Sequence, residues 1–158
     1  MKLASGISPV NPLIKQGANI ALGTDSSASN NDLDMFGEMK SAALLAKIST
    51  MDATALNAET VLSMATINGA KALHLDDKIG SLEVGKDADI CAVNINTINS
   101  SPMYHPISQL VYACQKDQVS DVWVEGKQLL KQRQLTRMDT NQILEHAKLW
   151  QQKLQPLK

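Results

Sequence analysis

The hydrophobic positions predict helices and one short strand up to Leu73 and give way from Ile79 to short apolar runs punctuated by glycine. Ser8-Pro9-Val10-Asn11-Pro12-Leu13-Ile14-Lys15-Gln16-Gly17 predicts a short helix, with Ser8 as N-cap, Pro9 at the first helical position and Gly17 closing the C-terminus. Ala18-Asn19-Ile20-Ala21-Leu22 predicts a strand, and its small, barely alternating apolar residues suit a parallel strand covered on both faces. It runs into a polar loop, Gly23-Thr24-Asp25-Ser26-Ser27. Residues 32 to about 48 are helical by period, with Met35, Met39, Ala42 and Ala46 on one stripe and Phe36 and Ala43 beside it. Asn31 is the expected N-cap, with Asp32 and Asp34 in the first turn where carboxylates complement the helix dipole. After a connection over 52–56, Asn57-Ala58-Glu59-Thr60 starts a second helix carrying Val61, Leu62, Met64 and Ala65. A restart near Thr66, before Asn68-Gly69, divides it into two pieces ending at Leu73.

From Ile79 the texture is that of short strands joined by glycine turns: Leu82-Glu83-Val84-Gly85-Lys86, then Ala88-Asp89-Ile90-Cys91-Ala92-Val93-Asn94. Val119, Asp121 and Trp123 alternate with Ser120, Val122 and Val124, and Glu125-Gly126-Lys127 turns that run into Gln128-Leu129-Leu130-Lys131 as a hairpin. Residues 106–112, between these strands, are read as a helix, and residues 140 to about 154 as an amphipathic helix with Ile143, Leu144, Ala147 and Trp150 on one face. The fold class is α/β.

Composition narrows the functions available. A chain of 158 residues with 44% hydrophobic content can supply a core, so disorder is not the default. Aromatics are 3%, which leaves that core to Leu, Ile, Val, Ala and Met and argues against base-stacking platforms. Fifteen basic and 16 acidic residues give a net charge of −1 with no basic stripe, so nucleic acid is not an expected partner. No apolar run approaches the ~20 residues that span a bilayer, and no signal-peptide core follows the start. No membrane association is expected, and the cytoplasm is the expected compartment. The two cysteines, Cys91 and Cys114, sit in apolar stretches where a buried free thiol is expected.

No complete catalytic constellation is present. His74, His105 and His146 lie in separate segments without the spacing of a metal pair, and are read as surface or packing residues. Gly80, Gly85 and Gly126 are read as turn glycines. Asp25 is placed differently, because a carboxylate just past a buried parallel strand has the position from which barrel enzymes reach a substrate. Asp and Ser after a strand are also ordinary turn and capping residues, and spacing alone leaves both readings open. Asn30 and Asn31 are read as loop and cap residues.

The run Lys2-Leu3-Ala4-Ser5-Gly6-Ile7-Ser8-Pro9-Val10, then Ala21-Leu22-Gly23-Thr24-Asp25-Ser26 and Ala28-Ser29-Asn30-Asn31-Asp32-Leu33-Asp34-Met35-Phe36-Gly37-Glu38-Met39, resembles the end of the barrel in the S-adenosylhomocysteine and methylthioadenosine deaminases. That group also includes enzymes labelled chlorohydrolases of N-ethylammeline type. Met64-Ala65-Thr66-Ile67-Asn68-Gly69-Ala70-Lys71-Ala72-Leu73 and Gly80-Ser81-Leu82-Glu83-Val84-Gly85-Lys86-Asp87-Ala88-Asp89-Ile90 are similar to segments found across the amidohydrolase superfamily. The resemblance runs up to about Asp139.

It implies a metal-dependent (β/α)8 barrel with a divalent metal, usually zinc, and a small accessory β-sandwich. Residues 1–76 would be the end of the barrel, 77–139 the C-terminal share of the sandwich, and 140–158 a C-terminal helix. Asp25 matches the aspartate that closes the last barrel strand. The resemblance assigns it as catalytic residue and metal ligand, taking the proton from water during metal-hydroxide attack on the purine carbon bearing the amino group. Ser26 and residues 30–34 would shape its loop. The implied substrate is a small-molecule purine nucleoside; a chlorohydrolase or aminohydrolase of another nitrogen heterocycle is the alternative. The family's histidines, catalytic glutamate and substrate-binding arginines all belong upstream of Lys2. The chain alone is therefore expected to be inactive, to bind metal weakly or not at all, and to begin at an internal methionine or at a cut. A different alternative is a non-catalytic structural module. Strand edges without neighbours are expected to favour a homo-oligomer.

Overall fold

The computed structural model describes residues 3–154. Lys2, which opens the first of the family-like runs, and residues 155–158 of the terminal segment lie outside them. The elements in chain order are helices α1 (Val10–Lys15), α2 (Met35–Thr50), α3 (Ala58–Met64) and α4 (Ile67–Ala72), strand β1 (Ile90–Val93), helix α5 (Pro106–Tyr112), strands β2 (Val119–Val124), β3 (Lys127–Lys131) and β4 (Gln134–Leu135), and helix α6 (Thr140–Leu154).

Helices form the core. The apolar stripe of α2 buries Met39, Ala43 and Ala46 against Leu56, Ala58, Val61 and Met64 from α3 and its approach, and against Val111 of α5. Val10, Ile14, Ile20, Leu22, Phe36 and Tyr112 close over this cluster. The division of the second predicted helix is also found, with α3 ending at Met64 and α4 starting at Ile67. Asn57 caps α3 by accepting the Thr60 amide at 2.9 Å.

The strands make one antiparallel sheet in the order β1-β2-β3-β4. Glu125 and Gly126 both have positive φ, 50° and 72°, the requirement of the two-residue turn that joins β2 to β3 as the sequence predicts. No residue of the four strands is buried. The sheet is therefore held by its ladders and lacks a core of its own.

Five expectations are corrected. Residues 18–22 form no strand: among the described residues none lies beside them to complete a ladder, and they run instead along the end of α3. Residues 82–86 form a turn region with Leu82 and Val84 exposed, again without a partner strand. The first helix begins at Val10 with Pro9 before it; the Ser8 carbonyl accepts the Val10 amide at 2.8 Å and its side chain caps nothing. Asp34, not Asn31, caps α2, taking the Phe36 amide at 3.0 Å. Cys114 is a buried free thiol as expected, but Cys91 is a free thiol exposed on the outer strand of the sheet.

Helix α6 forms as predicted, yet none of its residues is buried, and Ile143, Leu144 and Trp150 face solvent within this chain. Among the described residues no helix is long and apolar enough to cross a membrane.

Candidate functional site

Residues 18–25 are the spine of the site. Ile20, Leu22 and Thr24 are half-buried while Asn19, Ala21, Gly23 and Asp25 are exposed, so this extended segment covers one face only. It is fastened to the helices by four bonds in place of a ladder, the first from the Ala18 amide to the Leu13 carbonyl of α1 at 3.1 Å. The Leu22 amide donates to the Met64 carbonyl at 2.9 Å. Asn68 Nδ2 donates to the Ile20 carbonyl at 3.1 Å, and Asn19 Nδ2 returns a bond to the Asn68 carbonyl at 2.9 Å.

At the end of this segment Asp25 takes φ = 61°, a left-handed conformation that costs a non-glycine residue free energy unless its surroundings hold it. Asp is among the residues best able to adopt it, because its short side chain can bond locally. Here the Ser26 amide donates to Asp25 Oδ1 at 2.7 Å. The Ser29 hydroxyl and then the Ser26 amide hold the Asp25 carboxyl below its ordinary value, so it is an anion at neutral pH.

The following loop closes into a single turn: the Ser29 and Asn30 amides donate to the Ser26 carbonyl, and the Asn31 amide to the Ser27 carbonyl. Asn30 Nδ2 donates both to the Thr24 carbonyl at 2.8 Å and to Glu38 Oε1 on α2 at 2.7 Å. Just beyond, Lys116 Nζ lies 2.7 and 2.8 Å from the two oxygens of Asp32, joining the loop to the turn that leads into β2. The sequence reading of Asn30 as a loop residue holds, but its bond to Glu38 on another element is not legible in the sequence, nor is the pairing of Asp32 with Lys116, 84 residues away.

Asp25 lines an open cleft of about 800 Å³ together with Leu22, Asn30, Asp34 and Glu38, bounded on the other side by residues 3–12. His74, His105 and His146 are exposed and lie on other elements, as read from the sequence. Gly80, Gly85 and Gly126 all have positive φ, in keeping with turn glycines.

A site for a divalent metal needs about three protein ligands. Among the described residues no group of three or more His, Cys, Asp or Glu side chains could hold one. Asp25, an exposed and locally anchored carboxylate, suits the role of one ligand. The described residues do not make a whole site.

The chain belongs to the amidohydrolase family, whose sequence model matches residues 1–129. It is 50% identical over 154 residues to a 5-methylthioadenosine/S-adenosylhomocysteine deaminase from Teredinibacter turnerae, a match covering 98% of this chain and 35% of that protein. A solved adenosine deaminase from Xanthomonas campestris with bound zinc superposes with a TM-score of 0.95 at 48% identity, over 98% of this chain and 35% of the other. Atrazine chlorohydrolase from Arthrobacter aurescens, solved with zinc, superposes with a TM-score of 0.84 at 27% identity, over 91% of this chain and 32% of the other. The chain thus spans about a third of the length of the relatives it matches, and corresponds to the C-terminal part of that deaminase group. The resemblance read from the Asp25 loop and the helix after it is borne out.

Proposed function

We propose that this chain is the C-terminal portion of a hydrolytic deaminase of adenosine-type nucleosides, S-adenosylhomocysteine and methylthioadenosine among them, in which Asp25 is a metal ligand and the proton shuttle. Residues 1–76 would complete the (β/α)8 barrel, 77–139 would supply part of the accessory β-sandwich, and 140–158 the terminal helix. Identity of 50% with a deaminase of these two nucleosides supports the substrate class. Two solved neighbours contain zinc, which supports that ion as the metal.

The observation that carries the reading is Asp25 itself: an anionic carboxylate, held at φ = 61° and exposed at the mouth of the cleft. A divalent metal at such a site supplies Lewis acidity and brings the pKa of water to about 7. Asp25 accepts a proton from the water that adds to the purine carbon and delivers it to the departing nitrogen, so that ammonia leaves and oxygen remains.

A second reading, hydrolytic dechlorination of a nitrogen heterocycle, draws on the superposition with atrazine chlorohydrolase. Water adds to a ring carbon in the same way, and chloride leaves in place of ammonia. We also read the unpaired edges, residues 18–24 and the outer side of β1, as surfaces that pair with the remaining two thirds of such an enzyme or with a second copy.

The test is zinc-supplemented deamination of both nucleosides by this chain and by the chain joined to the remaining part of the enzyme. Activity confined to the joined protein, and lowered by about 10²-fold or more in Asp25→Ala, is the expected result. Turnover by the 158-residue chain alone would overturn the single-ligand assignment. Silence in both, with turnover of a chlorinated triazine, would move the reading to dechlorination.

A further inference from the structure

Three hydrogen bonds bracket the left-handed residue at the site. The peptide plane before Asp25 is held through its carbonyl, that of Thr24, by Asn30 Nδ2 at 2.8 Å. The plane after it is held at both ends: the Thr24 hydroxyl donates to the Asp25 carbonyl at 3.1 Å, and the Ser26 amide donates to Asp25 Oδ1 at 2.7 Å. Two of these bonds are exposed and local, open to competition from water. The Asn30 bond is half-buried and continues to a second element, because the same Nδ2 donates to Glu38 Oε1 on α2 at 2.7 Å. One amide nitrogen thereby uses both of its protons, one on the backbone that carries Asp25 and one on the helical layer.

We propose that Asn30 is a positioning residue for Asp25: its side-chain amide clamps the Thr24 carbonyl to Glu38 and so fixes the direction in which the Asp25 carboxylate enters the cleft. The inference rests on the reading of Asp25 as ligand and proton shuttle. A chain end leaving an extended segment in a strained conformation would otherwise be free to relax toward ordinary φ, turning the carboxylate away. Asn is suited to the position and Asp is not. The carboxylate of an aspartate would meet both the Thr24 carbonyl oxygen and the Glu38 carboxylate with no proton to give. Glu38 sits in the first turn of α2, where a carboxylate is favoured by the helix dipole, and its Oε1 is the acceptor for Asn30.

The test uses the chain joined to the remaining part of the enzyme, with Asn30→Ala, Asn30→Asp, Glu38→Gln and Asp25→Ala compared for zinc affinity by chelator competition, kcat and KM on methylthioadenosine, and thermal midpoint. Groups that orient a metal ligand change affinity or activity by about 10- to 100-fold when removed. The expected result is a loss of that size in zinc affinity and in kcat for Asn30→Ala and Asn30→Asp, with KM little changed. Glu38→Gln keeps an acceptor oxygen and should lose far less. If Asn30→Ala proves too unstable to purify, the isosteric Asn30→Asp carries the test. A drop in thermal midpoint with zinc affinity and kcat of the folded protein unchanged would overturn the proposal, making Asn30 a loop anchor only. Asp25→Ala separates the two failures. If it abolishes zinc binding and turnover while the Asn30 variants do neither, only the positioning role falls; if it retains both, the reading of Asp25 falls with it.

Discussion

The amide of Leu22 donates to the carbonyl of Met64 at 2.9 Å, so a residue of the extended segment that ends at Asp25 is bonded to the last residue of a buried helix. The Met64 side chain, 1% exposed, lies in the middle of the helical core beside Val61 and Val111. Backbone and side chain of one residue therefore connect the site to the part of the molecule that is best packed.

Met64→Ala should for that reason be costly. Truncating a fully buried methionine loses its transfer free energy and leaves a cavity, together about 2–5 kcal/mol. Urea unfolding should show a lower midpoint with an unchanged slope. Met64→Leu, which keeps the volume, should recover most of the loss.

Much of the helical layer is legible in the sequence because its signals are local. Of the stripe expected on α2, Met39 and Ala46 are buried while Met35 and Ala42 are half-buried and Ala43 beside them is buried; the α3–α4 break falls at Thr66, and the β2–β3 turn is marked by Glu125-Gly126. Asp25 is legible as a candidate only through its place after an apolar run and through family resemblance. What could not be read was decided by partners remote in sequence or lacking in the chain. Residues 18–22 have the composition of a central strand, but a strand is defined by its neighbours, and the described residues provide none. The cap of α2 fell to Asp34, with Asp32 paired to Lys116, 84 residues away in sequence. The Thr24–Asn30–Glu38 connection has no sequence signature, since its three members gain meaning only once loop and helix are packed together.

A second stability prediction concerns Lys47. Its ammonium donates to the carbonyls of Ala55 at 2.6 Å and Leu56 at 3.1 Å, both on buried residues of the turn that leads into α3. Leu56 has φ = 46°, so the turn is strained as well as covered. Lys47→Met preserves the apolar stem and removes the donor, leaving two carbonyls short of a partner. The cost should be about 1–3 kcal/mol in urea unfolding. A neutral result for Lys47→Met would mean that water replaces the ammonium.

The pH dependence of stability should carry a contribution from Asp52. Its Oδ1 accepts the Thr54 hydroxyl at 2.7 Å and the Thr54 amide at 2.8 Å, closing the turn after α2. The hydroxyl first and the amide second hold its carboxyl below the ordinary 3.8, with the charges of Lys15 and Lys47 acting in the same direction. A carboxyl depressed in the folded state releases its proton more readily there than in the unfolded chain, so its stabilisation is present above 3.8 and is lost as pH falls through the lower folded value. Asp52→Asn keeps an acceptor of the same shape but cannot titrate. Thermal midpoints of the two proteins should therefore differ at about pH 6 and converge as pH is lowered toward about 3, the parent falling more steeply. Parallel curves for parent and variant over that range would show that the Thr54 bonds do not favour the ionised form of Asp52.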